Sequence, residues 1–164
     1  MALKTLSAAG WLKDAIDNFT DLAGITSGAV GLGALRVARF EFDAGVEANR
    51  TIAAHGTGVT LPADAIVTGG FFDVNTLFTS ASTNTGTIAI SVEAANDIQT
   101  AAAVSGAPYS SIGRKAIVPK ANTPESTSVK TTVAREITCT VAVAALLTGK
   151  LTGYLYYVEG IASA

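Results

Sequence analysis

The side chains that could carry chemistry are few and scattered. The single histidine, His55, lies in the stretch His55-Gly56-Thr57-Gly58. A histidine can act as a general base, but that role needs a nucleophile or a second ligand close by, and the sequence nominates neither. His55 therefore reads as a polar turn residue. The single cysteine, Cys139, stands in phase with Ile137 and Val141. With no histidine or cation beside it in sequence to lower its pKa, it reads as a buried strand thiol, not a nucleophile. One cysteine also excludes an internal disulfide and a cysteine cluster for zinc. Glu93 and Asp97 could serve as the paired carboxylates of a glycan hydrolase, but every chain of this size offers such pairs, and it is their separation in space, which sequence does not give, that decides the chemistry. Asp14, Asp17 and Asp21 share one helical face, which reads as a solvated face because calcium sites gather their ligands on a tight turn. Gly28, Gly31 and Gly33 lack the spacing and preceding strand of a dinucleotide fingerprint and the lysine of a phosphate loop. Asn18-Phe19-Thr20 and Asn49-Arg50-Thr51 match the glycosylation pattern, a coincidence in a chain whose N-terminus makes a poor signal peptide. The expectation is no catalytic residue, no cofactor and no metal.

The chemistry is sparse because charge itself is sparse. Charged residues make up 15% of the 164-residue chain, against roughly 25% in an ordinary soluble domain, and mean hydropathy is +0.41. The lysines and arginines are dispersed, the densest pair being Arg114-Lys115, and the net charge is -2. That is no electrostatic footprint for nucleic acid. No window approaches the ~20 apolar residues of a membrane-spanning helix, so an aqueous compartment is expected. A surface so poor in charge favours a permanent assembly over a free enzyme.

The period of the apolar residues changes along the chain. Between Ser7 and Ala23 they fall at Leu12, Ala15, Ile16, Phe19, Leu22 and Ala23, which predicts an amphipathic helix. Gly24 ends it, and a Gly-rich linker follows. The organisation expected is an arm over 1–34 and a β domain over 35–164. From Leu35 the period becomes two: Ala38, Phe40 and Phe42; Ile88, Ile90 and Val92; Ile137, Cys139, Val141 and Val143; then a run from Leu151 to Val158. Turns are expected at residues 43–45, 55–58, 61–64, 83–86 and 147–150, with the last two strands forming a hairpin across Thr148-Gly149-Lys150. Gly69-Gly70 predicts a bulge within residues 66–78. Residues 103–128, rich in proline and glycine, read as a long excursion. The fold class is mainly β, an antiparallel β-sandwich or jelly roll with a short N-terminal helical arm.

Aromatic residues gather in the final strand. Tyr154 and Tyr156 share one face, Leu155 and Tyr157 the other. A strand of a two-layer core buries only one face, so the second needs cover. Tyr154, Tyr156 and Tyr157 are the expected oligomer interface. With Trp11 and Tyr109 they also compose a conceivable platform for a glycan or a partner.

Three stretches carry a family resemblance: Leu61-Pro62-Ala63-Asp64-Ala65-Ile66-Val67-Thr68 followed by Phe72-Asp73-Val74; Phe78-Thr79-Ser80 followed by Gly86-Thr87-Ile88-Ala89-Ile90; and Leu147-Thr148-Gly149-Lys150-Leu151 followed by Tyr156-Tyr157-Val158. Together they span Val59 to Val158, and the region resembles small virion proteins of tailed bacteriophages, capsid decoration or cement proteins among them. The resemblance implies a β-sandwich or jelly roll, often trimeric, with no catalytic residues. It leaves the N-terminal helix outside its pattern. The reading that follows is a non-enzymatic decoration protein in the virion, a homotrimer whose partner is the major capsid protein. Leu12, Ile16, Phe19 and Leu22 are its attachment stripe, and neither nucleic acid nor membrane is a partner. The rivals are a tail or fibre component that binds host glycans through exposed tyrosines, and a small hydrolase acting through Glu93 or Asp97.

Overall fold

The computed structural model describes residues 35–120 and 128–159. The helix expected over Ser7–Ala23, the linker and Trp11 lie outside the described residues. Within them the chain forms nine strands: β1 Arg36–Asp43, β2 Ala54–Leu61, β3 Ala65–Ser80, β4 Thr87–Ser91, β5 Gln99–Ala103, β6 Gly113–Ile117, β7 Val129–Lys130, β8 Arg135–Ala142 and β9 Leu146–Glu159. One sheet has the order β1-β9-β3-β6 with β7 also paired to β3, and the other the order β2-β8-β4-β5. All pairings are antiparallel. The pairs nest: β1 with β9, β2 with β8, β3 with β6, β4 with β5. That is a long hairpin rolled over on itself, the eight-strand jelly roll, with β7 as an addition.

The alternation read from the sequence places the core. Ala38, Phe40 and Phe42 point inward from β1, Ile137, Cys139 and Val141 from β8, and all are buried with Phe72, Val74, Leu151 and Leu155 between the sheets. Burying each large side chain is worth roughly 1.5–3 kcal/mol. The bulge expected at Gly69 is present, since the β3–β9 register slips between Val67 and Gly69.

Four local expectations are corrected. Residues 55–58 are not a turn but part of β2, where a Cβ on Gly56 would overlap the Glu136 carboxylate that accepts the Gly58 N–H at 2.7 Å. The glycines make room for that side chain and bulge the strand between Gly56 and Thr60. Thr148-Gly149-Lys150 is not a hairpin turn either. It lies within β9, and the connection from β8, residues 143–145, passes from one sheet to the other. Gly149 has φ +131, and a Cβ there would overlap the Phe78 ring. The residue was selected for close approach inside a strand, not for a reversal. Val143, read as in phase with the buried β8 residues, is 68% exposed. The excursion over 103–128 contains β6, which pairs with β3 from Gly70 to Val74.

Candidate functional site

The outer face of the five-stranded sheet collects the aromatic side chains that the last strand displays. Register sets Arg39, Tyr154, Phe71 and Ala116 in one row across β1, β9, β3 and β6. The Phe71 ring stacks on Tyr154 at 4.8 Å between centroids and meets Tyr156 at 6.0 Å. Arg114 lies 4.2 Å over the Phe71 ring, a cation–π placement, and donates twice to Asp73, at 3.1 Å each. A hydrogen bond to Tyr154 first, then the Glu41 carboxylate, hold the Arg39 guanidinium above its usual range. The hydrogen bond and charge of Asp73 do the same for Arg114. Lys150 sits 3.4 Å from Asp43 and 3.7 Å from Glu41. The aromatic row is thus half-covered by the chain's own arginines.

Of the residues expected to share an interface, the structure brings two together. Tyr154 and Tyr156 flank Phe71 on the outer face, while Tyr157 packs against the core from the inner one. Tyr109 belongs to no exposed platform. It is fully buried, stacked on Phe72 at 5.6 Å and edge-on to Phe78 at 5.8 Å. Phe71 and Arg114 were not singled out from the sequence. The signal for Phe71 was the strand period itself, once the bulge beside Gly69 is allowed for; Arg114 is found only through the β3–β6 register.

The candidate chemical groups are occupied by structural work. Glu93 accepts from Arg135 at 3.0 and 3.2 Å and from the Thr132 hydroxyl and amide at 2.7 and 3.1 Å. The Arg135 bond, more than any other, brings its carboxyl down to about 2. An acid so easily ionised is a poor proton donor near neutrality. Asp97 is buried and accepts the amides of Val92, Glu93 and Ala94 at 2.8, 3.0 and 2.8 Å, closing the loop between β4 and β5. Register places Cys139 opposite His55, a neighbour the sequence did not nominate. The His55 Nε2 lies 2.8 Å from the Thr51 carbonyl, with the ring beside Phe42. Burial pushes the Cys139 thiol up to about 12, the reverse of an activated nucleophile. Among the described residues no group of three or more His, Cys, Asp or Glu is placed to hold a metal, and no helix is long and apolar enough to cross a membrane.

No family model matches the chain, and no curated protein matches it. Solved structures do. A chain in the acidic stable capsid structure of Helicobacter pylori bacteriophage KHP30 is 15% identical with a TM-score of 0.53, over 77% of this chain and 89% of that one. A chain in the cyanophage Pam1 capsid asymmetric unit is 17% identical with a TM-score of 0.54, over 80% and 89%. A chain in the capsid of Ralstonia phage GP4 is 17% identical with a TM-score of 0.51, over 80% and 88%. At these identities the likeness is one of fold, and it extends over nearly the whole of each neighbour.

Proposed function

We propose that this chain is a structural protein of a bacteriophage virion, and within that class a non-enzymatic decoration or cement protein that binds the capsid shell as a homo-oligomer. The observation that carries the reading is the fold, similar over 77–80% of this chain and 88–89% of each neighbour to chains in three phage capsid structures. The chemistry agrees: the carboxylates that a hydrolase would need serve as loop fasteners. A cement protein needs a rigid body and several points of attachment, and joining copies turns weak contacts into durable ones through effective concentration. The major capsid protein is the proposed partner, and the stripe Leu12, Ile16, Phe19 and Leu22 the proposed anchor. The described chain starts beside β1, where Leu35 and Val37 stand exposed.

Co-sedimentation with expanded capsids of the encoding phage, and imaging of intact particles, test this. The protein is expected to pellet with capsids and to appear on the shell. Density on the tail alone, or no association with particles, overturns the reading. Removing residues 1–34 is expected to leave a folded oligomer that no longer pellets with capsids; equal binding by the truncated chain removes the arm from the reading.

A further inference from the structure

The sandwich has two ends. At one, β1 begins and β9 finishes. At the other, β3 finishes and β9 begins, joined to the second sheet by the turn Ala81–Asn84 and the connection 143–145. This second end, hereafter the Ser80 end, is built largely from uncharged segments. The sequence has no charged residue from Val74 to Val92, nor from Ile137 to Gly149. Charge returns at its rim: Arg50 is tied to the carbonyls of Ala44 and Gly45, and Lys150 is paired with Glu41 and Asp43.

Apolar side chains are turned outward here. Leu77, Val143 and Leu147 are 42%, 68% and 52% exposed. Three of the four register slips between β3 and β9 fall between Val74 and Ser80. Bulges re-aim side chains, and Leu77 of β3 and Leu147 of β9 point away from the core, although Leu146, Leu151 and Leu155 of β9 are buried in it. Val143 stands at φ +68, a conformation unfavourable to a β-branched residue, and Ser82, Thr83 and Asn84 are consecutive left-handed residues. The surface is nonetheless firmly held: the Ala81 amide donates to the Ala145 carbonyl at 2.9 Å, the Thr79 and Thr148 hydroxyls meet at 2.7 Å, and the Asn84 side chain accepts the Ser80 amide at 2.8 Å.

We infer that the Ser80 end is the surface on which a second copy of this chain packs, centred on Leu77, Val143 and Leu147. The occupant follows from the missing charge. Foreign partners are selected and oriented by complementary charge, whereas here the charges nearest the centre, Asp43, Arg50 and Lys150 beside Leu147, are already paired with one another or tied to the chain's own carbonyls. Identical copies instead bring the same charges to the contact, so an uncharged centre removes like-charge repulsion. Contacts between identical chains are also the more apolar class, with polar groups confined to the rim. The aromatic outer face is the weaker candidate because its own arginines already half-cover it.

The inference rests on the oligomeric part of the proposed function. The test is the solution mass of the full chain, by light scattering and sedimentation at micromolar concentration. Leu147→Asp is expected to weaken assembly at least tenfold, Leu77→Ser less, and Tyr154→Ala to leave the mass unchanged. Circular dichroism and thermal unfolding report folding; if Leu147→Asp fails to fold, the milder Leu77→Ser and Val143→Ser carry the test. A wild-type mass equal to the 16.6 kDa monomer, folded Ser80-end variants that assemble as well as the wild type, or dissociation by Tyr154→Ala alone each overturns the inference. Contacts with the shell in place of a copy would show as variants that keep their mass but lose capsid binding, which also overturns it. A wild-type oligomer that ignores capsids defeats the decoration reading and leaves this one standing. A monomer that binds capsids does the opposite.

Discussion

The two ends of the sandwich are fastened by different chemistry. At the end where β1 begins, carboxylates close the loops: Asp97 gathers three amides, Glu93 spans to Arg135 and Thr132, and Asp64 pairs with Lys130 at 2.7 Å. At the centre of the Ser80 end the same task falls to hydroxyls, one asparagine and backbone bonds, helped by Gly149, which lets the Phe78 ring come close, while Asp43, accepting the Gly45 amide at 2.7 Å, and Arg50 act only at the rim. Ionised acceptors form stronger hydrogen bonds than neutral ones, but they leave charge at the surface. An end meant to meet another apolar surface keeps them to its rim. One fold therefore carries an end whose loops are closed by carboxylates and an end whose centre is closed without them.

Four measurements would break or sharpen this contrast. The largest effect is expected from Asp97→Ala, which strands three amides in a buried loop and should destabilise the domain by about 4 kcal/mol in chemical denaturation. A loss below 1 kcal/mol would mean that water or neighbouring groups hold the loop as well as the carboxylate does. At the Ser80 end Gly149→Ala should cost about 3 kcal/mol, since its Cβ would overlap Phe78 at a backbone angle that disfavours side chains. A neutral result would show that Phe78 has room to move and that this end is looser than its bonds imply.

The third concerns acid. The Glu93 carboxyl lies at about 2 in the folded protein, below its ordinary value of 4.5. A depressed carboxylate stabilises the fold above its unfolded pKa, and that contribution is lost as pH falls from 4.5 toward 2. Unfolding midpoints of the wild type should therefore drop across that window, and the drop should be shallower in Glu93→Gln. Identical slopes would remove Glu93 from the fastening of its end. The smallest effect is a gain. Among the described residues the Tyr109 hydroxyl is buried with no hydrogen-bond partner, and burial drives its pKa upward. Tyr109→Phe should stabilise the domain by about 1 kcal/mol. Destabilisation would reveal a partner for the hydroxyl, such as an internal water.

The sequence displayed the sheets better than their ends. Alternation at Phe40, Phe42, Ile88, Ile90, Ile137 and Cys139 marked the buried faces, because a period of two is imposed by the strand itself. The two-faced final strand was legible for the same reason, and the Gly69 bulge because a glycine pair interrupts the strand pattern. Gly56, Gly58 and Gly149 misled, because glycine signals a turn and a close approach with the same letter. What gave Gly149 its meaning was Phe78, a residue far away in sequence. Tyr109 could not be recognised as core because it sits in an irregular segment without period. The row Arg39, Tyr154, Phe71 and Ala116, with Arg114 laid over Phe71, exists only across four strands, so no window of sequence contains it. The uncharged runs were visible as letters, but their convergence at one end required the topology.

Nested pairing also governs how the domain comes into being. Among the strands, β1 hydrogen-bonds only to β9, matching Arg36 to Tyr157 and Asp43 to Lys150. The first strand made must wait for the last, and at about 5–20 residues per second that wait is on the order of ten seconds during synthesis. Contacts so distant in sequence make a high contact order, and such folds form slowly. Until β9 arrives, β3 lacks its principal neighbour and the uncharged run that follows it is open to other nascent chains. The apolar surface that suits the finished protein for assembly is therefore a hazard while it is being made, and a chain truncated before β9 is expected to collect in insoluble aggregates.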